Sequence, residues 1–223
     1  GFADLFDPMA ARLDGVTLVV DEPAAGAAAA ELRRRWPALV PEVPPGVPLR
    51  GGVELRAHLH GPAADPEVEA TLLWRLAEGQ QVEAGWRGRA AALAGEAEVR
   101  VTALELAPLF SGFGGTVSAR VHLRGRPQAY AARFTLDGAA LSAGEARVDY
   151  LHVAGETDGR ELRLHRVAAL AGRRVAEGAL RAALAVPFTD AEAEFILRDP
   201  SPAVAEVQAR ARLRDGVVEL EVP

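Results

Sequence analysis

Two histidines on one predicted strand have the spacing best suited to metal chemistry. His58 and His60 are two positions apart, and a strand has a period of two, so both side chains point to one side and could reach a single ion. The same side carries Glu54 and Arg56. A strand face of this composition is typical of a solvated surface, so we predict no metal site here.

The other side chains capable of catalysis form no recognisable constellation. His122, His152 and His165 are isolated along the sequence. The segment 112–115 (Gly-Phe-Gly-Gly) precedes a predicted strand and not a helix, so it is interpreted as a turn and not as a dinucleotide loop. No Gly-x-Ser-x-Gly elbow surrounds any of the serines, which are Ser111, Ser118, Ser142 and Ser201. The pattern indicates no catalytic residues, no cofactor and no enzymatic activity.

Composition excludes several further classes of function. All 25 basic residues are arginine. A Walker-type phosphate loop and Schiff-base chemistry both require a lysine, so the composition excludes them. The chain has no cysteine, which excludes thiol catalysis, disulfides and cysteine-based zinc sites. Its net charge of −6, pI near 5.5 and 5% aromatic content argue against a nucleic-acid surface. Hydrophobic residues make up 49% of the chain, so much apolar surface needs cover.

The chain is organised around a stretch that crosses a glycine-rich break and begins a clean alternating strand. Valine, alanine and leucine at positions 117, 119, 121 and 123 point one way, and serine, arginine and histidine at 118, 120, 122 and 124 point the other. The motif Arg-x-His-Leu-x-Gly occurs at 120–125 and again at 56–61. We interpret this as an internal repeat with a period of about 64 residues; chance similarity in an Ala/Arg/Leu-rich chain is the alternative.

Similar alternating segments follow from residue 52 onward, joined by short turns. They predict an all-β fold of about a dozen strands in an antiparallel meander. Asp137-Gly138 predicts a hairpin turn, and Gly85 and Gly88 are expected to break the strand at 81–89. An alanine-rich segment at 24–35 predicts one short helix, and a proline-rich connector follows at 37–50.

Two regions are therefore expected. Residues 1–50 form a lead-in strand, the short helix and the connector, and residues 51–223 form a repetitive β region with copies at 51–114 and 115–186. Nearly every predicted strand has one apolar face. That face is covered either by folding the sheet onto itself, as a sandwich or barrel, or by curling it into a trough that holds an apolar ligand.

Degenerate glycine and leucine patterns resemble the repeats of the TamB/AsmA-like proteins. They include Leu-x-Leu-x-Pro-Leu at 104–109, the alternating Gly-Gly-Thr-Val run at 114–127, Phe-x-Leu-Asp-Gly-Ala at 134–139 and the leucine- and glycine-spaced stretch at 162–184. The upstream copy at 59–66 fits the same pattern. The resemblance covers roughly residues 38–197 and departs from the family in the helix at 24–35, which the repeats do not require.

The resemblance implies a long sheet curled into a hydrophobic groove, called a β-taco, in a periplasm-spanning protein anchored in the inner membrane. It also implies phospholipid transport between the two membranes or assistance to outer-membrane assembly. Phospholipid acyl chains are the expected partners, with an outer-membrane barrel protein as a further candidate. Both ends of the sequence suggest a segment of a longer protein. Membrane contact is expected through parts of that protein that are absent from this chain.

The residues expected to line the groove are aliphatic or aromatic and alternate along their strands: Val53, Leu55, Leu59, Val68, Leu72, Trp74, Leu76, Val99, Val101, Val117, Val121, Leu123, Phe134, Leu136, Phe195, Leu213 and Leu220. The alternative hypothesis is a structural or protein-binding β-repeat module whose core is self-buried and whose edge strands pair with a client strand.

Overall fold

A computed structural model describes residues 12–22, 34, 51–126, 129–184, 190–198, 207–214 and 217–222 of the chain. The predicted connector at 37–50 lies outside the described residues. So does the predicted helix at 24–35, except for Arg34, whose backbone is helical. This single residue does not test the helix, which stays a prediction.

The described residues are otherwise strands and turns, which confirms the all-β fold. The strands are β1 (Arg12–Glu22), β2 (Gly52–Pro62), β3 (Glu67–Ala77), β4 (Gln80–Arg89), β5 (Ala94–Glu105), β6 (Phe113–Arg126), β7 (Ala129–Ala143), β8 (Ala146–Thr157), β9 (Glu161–Ala171), β10 (Arg174–Ala183), β11 (Asp190–Arg198), β12 (Val207–Arg214) and β13 (Val217–Glu221). None of the helices in the described part is long and apolar enough to cross a membrane.

The chain divides into two units. Unit 1 comprises Gly1–Leu104 and His122–Gln128, and unit 2 comprises Glu105–Val121 and Ala129–Pro223. In unit 1, β1 to β5 pair antiparallel, each with the next in the chain. In unit 2, β7 to β13 do the same. Within each unit, the predicted antiparallel meander is confirmed.

The predicted hairpin at Asp137-Gly138 is wrong. β7 continues through both residues to Ala143, and the chain turns at Gly144 instead. Gly138 lies opposite Leu151 in the ladder, where a Cβ would come within 2.6 Å of Leu141 Cδ1. Side-chain packing at Gly138 therefore explains this glycine better than turn geometry does.

The expected break at Gly85 and Gly88 is also wrong, because β4 runs without interruption from Gln80 to Arg89. Gly88 lies opposite Gly95 on β5, and a Cβ on Gly88 would come within 2.3 Å of the carbonyl oxygen of Ala94. The two strands approach too closely there for a side chain, so glycine permits the contact without ending the strand.

Apolar side chains are half-buried in both units. The buried hydrophobic residues in the described part of the chain are Ala132, Ala182 and Ala193, and no large side chain there is fully buried. The apolar faces of the described strands are therefore in partial contact with solvent.

Candidate functional site

The strand register places apolar residues of unit 1 side by side, so that they form an apolar face crossing β2 to β5. Directly opposed residues of an antiparallel pair share a face of the sheet. Four rows of opposed residues result: Val53, Trp74, Val82 and Val101; Leu55, Leu72, Ala84 and Val99; Ala57, Ala70, Trp86 and Ala97; Leu59, Val68, Gly88 and Gly95. This set is the apolar face of unit 1.

Eight of the predicted lining residues of unit 1 lie in these rows: Val53, Leu55, Leu59, Val68, Leu72, Trp74, Val99 and Val101. Leu76 follows Trp74 by two positions on β3 and is likewise half-buried. Leu123 lies between His122 and Arg124, whose side chains reach Glu98 and Glu96 on β5 at 3.8 and 3.4 Å. Leu123 therefore points to the opposite, apolar face.

Unit 2 has an apolar face of the same kind across β7 to β12. Its rows are Ala132, Thr157, Leu162, Ala182, Ala191 and Leu213; Phe134, Gly155, Leu164, Leu180, Ala193 and Ala211; Leu136, Val153, Val167, Gly178, Phe195 and Ala209; Gly138, Leu151, Ala169, Ala176, Leu197 and Val207. This set is the apolar face of unit 2.

The predicted residues Phe134, Leu136, Phe195 and Leu213 all belong to this face. Val117 and Val121 are both half-buried and share one face of β6 because they are four positions apart and the strand period is two. The backbone of Leu220 lies opposite Ala211, and its side chain is outside the described residues.

Sequence reasoning missed several members of the two faces, among them Val82, Trp86, Val153, Val167 and Leu180. The alternation that would have found them is visible in the sequence. At Val82, Ala84 and Trp86 the glycine at 85 obscures the alternation, because a glycine inside a strand pattern also indicates a break.

Aromatic rings on the apolar faces lie over glycines of the neighbouring strand. A Cβ built on Gly178 would come within 2.5 Å of Phe195 Cδ1, and one built on Gly155 within 3.1 Å of Phe134 Cζ. Both pairs are directly opposed in the ladder. Each ring therefore lies against the sheet and covers the backbone of the opposed glycine.

The opposite faces carry ladders of arginine and glutamate. Arg87 contacts Glu69 at 3.0 Å, and Arg198 contacts Glu177 at 3.0 Å, each from the neighbouring strand. Because these side chains are exposed, each pair contributes a few tenths of a kcal/mol, up to about 1 kcal/mol. The ladders therefore mark the faces that water solvates.

The arginines of β12 bond to glutamates of β11. In the structure, Arg212 contacts Glu192 at 2.9 Å and Arg210 contacts Glu194 at 2.8 Å, both on β11. The hydrogen bond to Glu192 raises the pKa of Arg212, and the charges of Glu221 and Glu219 add to this. Arg210 and Arg212 each lie opposite one glutamate of β11 and one of β13. The sequence of the hairpin alone therefore does not determine which of these glutamates each arginine contacts.

The histidines lie beside acidic residues of adjacent strands, which sequence spacing did not reveal. His60 Nε2 is 2.8 Å from Glu67 Oε2, and its ring centroid is 6.2 Å from that of His58. His122 and His165 approach Glu98 and Glu156 at 3.8 and 3.5 Å. No group of three or more potential metal ligands is gathered within the described ranges.

The side chains of His152 and Tyr150 meet at Asp137, on the face opposite Leu136. Asp137 Oδ1 lies 2.8 Å from His152 Nδ1 and accepts a hydrogen bond of 2.8 Å from the Tyr150 hydroxyl. These bonds, the one with His152 first, lower the pKa of Asp137, and the bond to Asp137 raises the pKa of Tyr150. The geometry therefore orders a network of polar side chains on this face.

A shallow depression of about 340 Å³ lies on the polar side of unit 1, where Gly85 has no side chain. Arg56 and Arg100 line it together with Glu54, Glu83 and Glu98. Arg56 is 2.5 Å from Glu54, and Arg100 is 3.6 Å from Glu83. Each arginine is therefore paired with a glutamate of the same depression, and the lining carries charges of both signs.

Comparison of the chain with protein-family models, with curated proteins and with solved structures finds no match in any of the three.

Proposed function

We propose that the apolar faces of this chain shield phospholipid acyl chains from water, as a segment of a periplasmic TamB/AsmA-like protein that moves lipid between the inner and outer membranes or assists outer-membrane assembly. The observation that carries the proposal is the set of rows of mainly apolar residues in each unit, most of whose members are half-buried. In this proposal the sheet curls into a groove, and the faces with arginine and glutamate point to the periplasm.

An acyl chain that crosses water without cover is energetically costly. Each CH₂ group removed from water is stabilised by about 0.8 kcal/mol, so a chain of about sixteen carbons costs on the order of 10 kcal/mol to expose. An apolar surface that follows the lipid along its path removes this cost without a specific catalytic group. Aliphatic residues at every second strand position are sufficient.

The dimensions of the apolar faces suit this role. Four rows of side chains, each two residues from the next, cover about 20 Å along a strand at roughly 3.3 Å per residue. This length is comparable to an extended acyl chain. Small side chains such as those of Ala57 and Ala70, which are opposed in the ladder, leave more space above the backbone for a flexible chain than larger side chains would.

A structural or protein-binding β module with a self-buried core is the second candidate. Alanine supports it, because the buried hydrophobic residues in the described part are Ala132, Ala182 and Ala193. Small side chains allow two layers of backbone to approach closely, and a core of this type binds no lipid.

The test is mass spectrometry of lipids extracted from the purified protein, together with uptake of labelled phospholipid from vesicles. Leu72 and Leu73 are adjacent leucines of β3 on opposite faces, since Leu72 lies opposite Leu55 and Ala84 and Leu73 lies opposite Glu54 and Glu83. Leu72→Asn is expected to reduce bound lipid several-fold, and Leu73→Asn is its matched control. Asparagine avoids placing a new charge beside Glu54 and Glu83.

Phe195→Asn and Ile196→Asn provide the same comparison in unit 2, because Phe195 lies opposite Gly178 and Ile196 lies opposite Glu177. Circular dichroism establishes that each variant keeps its strand content. A folded protein that carries no lipid and takes none from vesicles would overturn the proposal and favour the self-buried module. Equal loss of lipid in the two members of a pair would also contradict it.

A further inference from the structure

The connection between β5 and β6 presents two phenyl rings to solvent. Phe110 and Phe113 are 55% and 52% exposed, and their ring centroids lie 6.3 Å apart in an edge-to-face arrangement. The surrounding segment, residues 106–119, is the longest stretch of the chain without a charged residue. Residues 106–113 are named the aromatic tip. Exposed apolar surface of this kind marks a contact with a partner or a membrane.

Backbone hydrogen bonds hold the aromatic tip in one shape. The N–H groups of Leu109 and Phe110 both donate to the carbonyl of Leu106, at 2.9 and 2.8 Å. The N–H of Phe113 donates to the carbonyl of Phe110 at 3.2 Å. At the base of the tip, the N–H of Leu106 donates to the carbonyl of Gly115 at 3.0 Å. A defined backbone therefore exposes the rings, so little conformational freedom is lost when they are covered.

The turn between β7 and β8 places an arginine behind the aromatic tip. The N–H of Gly144, in this turn, donates to the carbonyl of Gly112 at 3.4 Å, so the turn lies beside the tip. Arg147 is exposed and follows Gly144 by three residues along β8. At roughly 3.3 Å per residue, its backbone is about 10 Å behind the turn.

The turn between β9 and β10 adds a second arginine at a similar depth. The N–H of Gly172 donates to Asp149 Oδ2 at 2.6 Å, which places this turn level with Asp149 on β8. The exposed Arg173 follows Gly172 directly. It therefore lies about 15 Å behind the aromatic tip along the strand direction. Both arginines are set back from the rings at the same end of unit 2.

We propose that the aromatic tip inserts into the surface of a phospholipid bilayer, with Phe110 and Phe113 at the boundary between headgroups and acyl chains. Aromatic side chains are enriched at this boundary, and apolar surfaces enter it by about 5–10 Å. Insertion to that depth brings the long side chains of Arg147 and Arg173 to the phosphates. A guanidinium group binds phosphate oxygens in a bidentate manner, so the set-back arginines match the charge of the membrane surface.

A carboxylate beside the tip sets the depth of insertion. Glu145 is exposed and follows Gly144 directly in the turn next to the tip. A carboxylate loses favourable hydration when it enters the interfacial region, so the insertion is shallow. Glu145→Gln is therefore expected to strengthen binding to vesicles several-fold.

The first test uses a fluorophore whose emission depends on its environment, with vesicles of phosphatidylcholine and phosphatidylglycerol as the membrane. The chain has no cysteine, so one introduced cysteine directs the label to one position. A label on Ser111→Cys, between the two rings, is expected to shift its emission to shorter wavelength when vesicles are added. Arg160→Cys is the matched control in the β8–β9 turn, at the other end of these strands, and its label is expected to stay in water.

The second test measures cosedimentation of the whole chain with the same vesicles. Phe110→Asn with Phe113→Asn is expected to weaken binding at least about tenfold, because two phenyl rings no longer leave water. Leu93→Asn is the matched control, since it removes a leucine that is 46% exposed in the β4–β5 turn of unit 1. Circular dichroism establishes that each variant keeps its strand content.

This membrane contact is separate from lipid binding on the apolar faces. The phenylalanine variant is expected to keep its extracted lipid, and Leu72→Asn is expected to keep its binding to vesicles. Failure of one proposal is thereby distinguished from failure of the other.

Equal emission changes of the labels at 111 and 160 would overturn the proposal. So would binding to vesicles that the phenylalanine substitutions leave unchanged, or binding that Glu145→Gln weakens. A label at 111 that stays in water in the presence of vesicles would instead favour a pocket of another protein as the partner of the aromatic tip.

Discussion

The ring of Phe195 lies over Gly178 on the neighbouring strand, where a Cβ on the glycine would come within 2.5 Å of Cδ1. The same Cβ would come within 2.3 Å of the carbonyl oxygen of Glu194. The contact joins β10 to β11 on the apolar face of unit 2, and it requires a position without a side chain.

Gly178→Ala is therefore expected to destabilise the protein by about 1–3 kcal/mol, because the ring and the backbone must both move. Gly85→Ala is the matched control: it lies within a strand, has no atom within 4 Å of a new Cβ and has no positive φ. It is expected to be neutral or to stabilise by up to about 1 kcal/mol, since alanine restricts the unfolded chain. Urea unfolding measures both, and equal effects would contradict the packing argument.

Asp137 makes stability depend on acid pH. Hydrogen bonds, with His152 first and with Tyr150 second, lower its pKa in the folded state below the ordinary value of 3.8. The stabilisation is therefore present above 3.8 and is lost as pH falls through the folded pKa. Asp137→Asn is expected to lower the free energy of unfolding at neutral pH. In strong acid the free energies of unfolding of the variant and of the unaltered chain are expected to become more similar. A difference that stays constant with pH would show that the carboxylate is not responsible.

Tyr150 gives an independent measurement of the same network at alkaline pH. The chain has 2 tyrosines, so tyrosinate absorbance resolves the titration of Tyr150 after comparison with Tyr150→Phe. The hydrogen bond to Asp137 raises the pKa of Tyr150 above 10.0, and its stabilising effect is lost as pH rises through that raised pKa. Asp137→Asn is expected to return the titration toward 10.0. An unchanged titration would place the cause elsewhere.

The internal repeat predicts matching roles for Gly61 and Gly125, the last residues of the two Arg-x-His-Leu-x-Gly motifs. Both have positive φ, 98° and 126°, which favours glycine strongly. Gly61→Ala and Gly125→Ala are each expected to lower the free energy of unfolding by about 1–3 kcal/mol. Thermal unfolding with a urea series measures both. A loss of stability in only one of the two variants would show that the two copies are not structurally equivalent. The internal repeat stays a prediction.

Strand positions were predictable where polar and apolar residues alternate without interruption. At 53–60 and 68–76 the alternation continues over many residues, and β2 and β3 contain these two segments. Glycine caused the errors. At Gly85, Gly88 and Gly138 the glycine predicts a break or a turn where the strand continues, and at Gly88 and Gly138 only the folded structure shows which atoms exclude a side chain.

The amino-acid sequence by itself determined the all-β class and which side of each strand is apolar, because both follow from a period of two within one strand. Only the tertiary structure decided which residues are opposed, and thus that Asp137 meets His152 and Tyr150 and that Phe195 covers Gly178. These relationships depend on strand register and on the choice among neighbouring strands. Register and partner choice arise from the combined packing and hydrogen bonding of residues far apart in the chain, so no local pattern contains them.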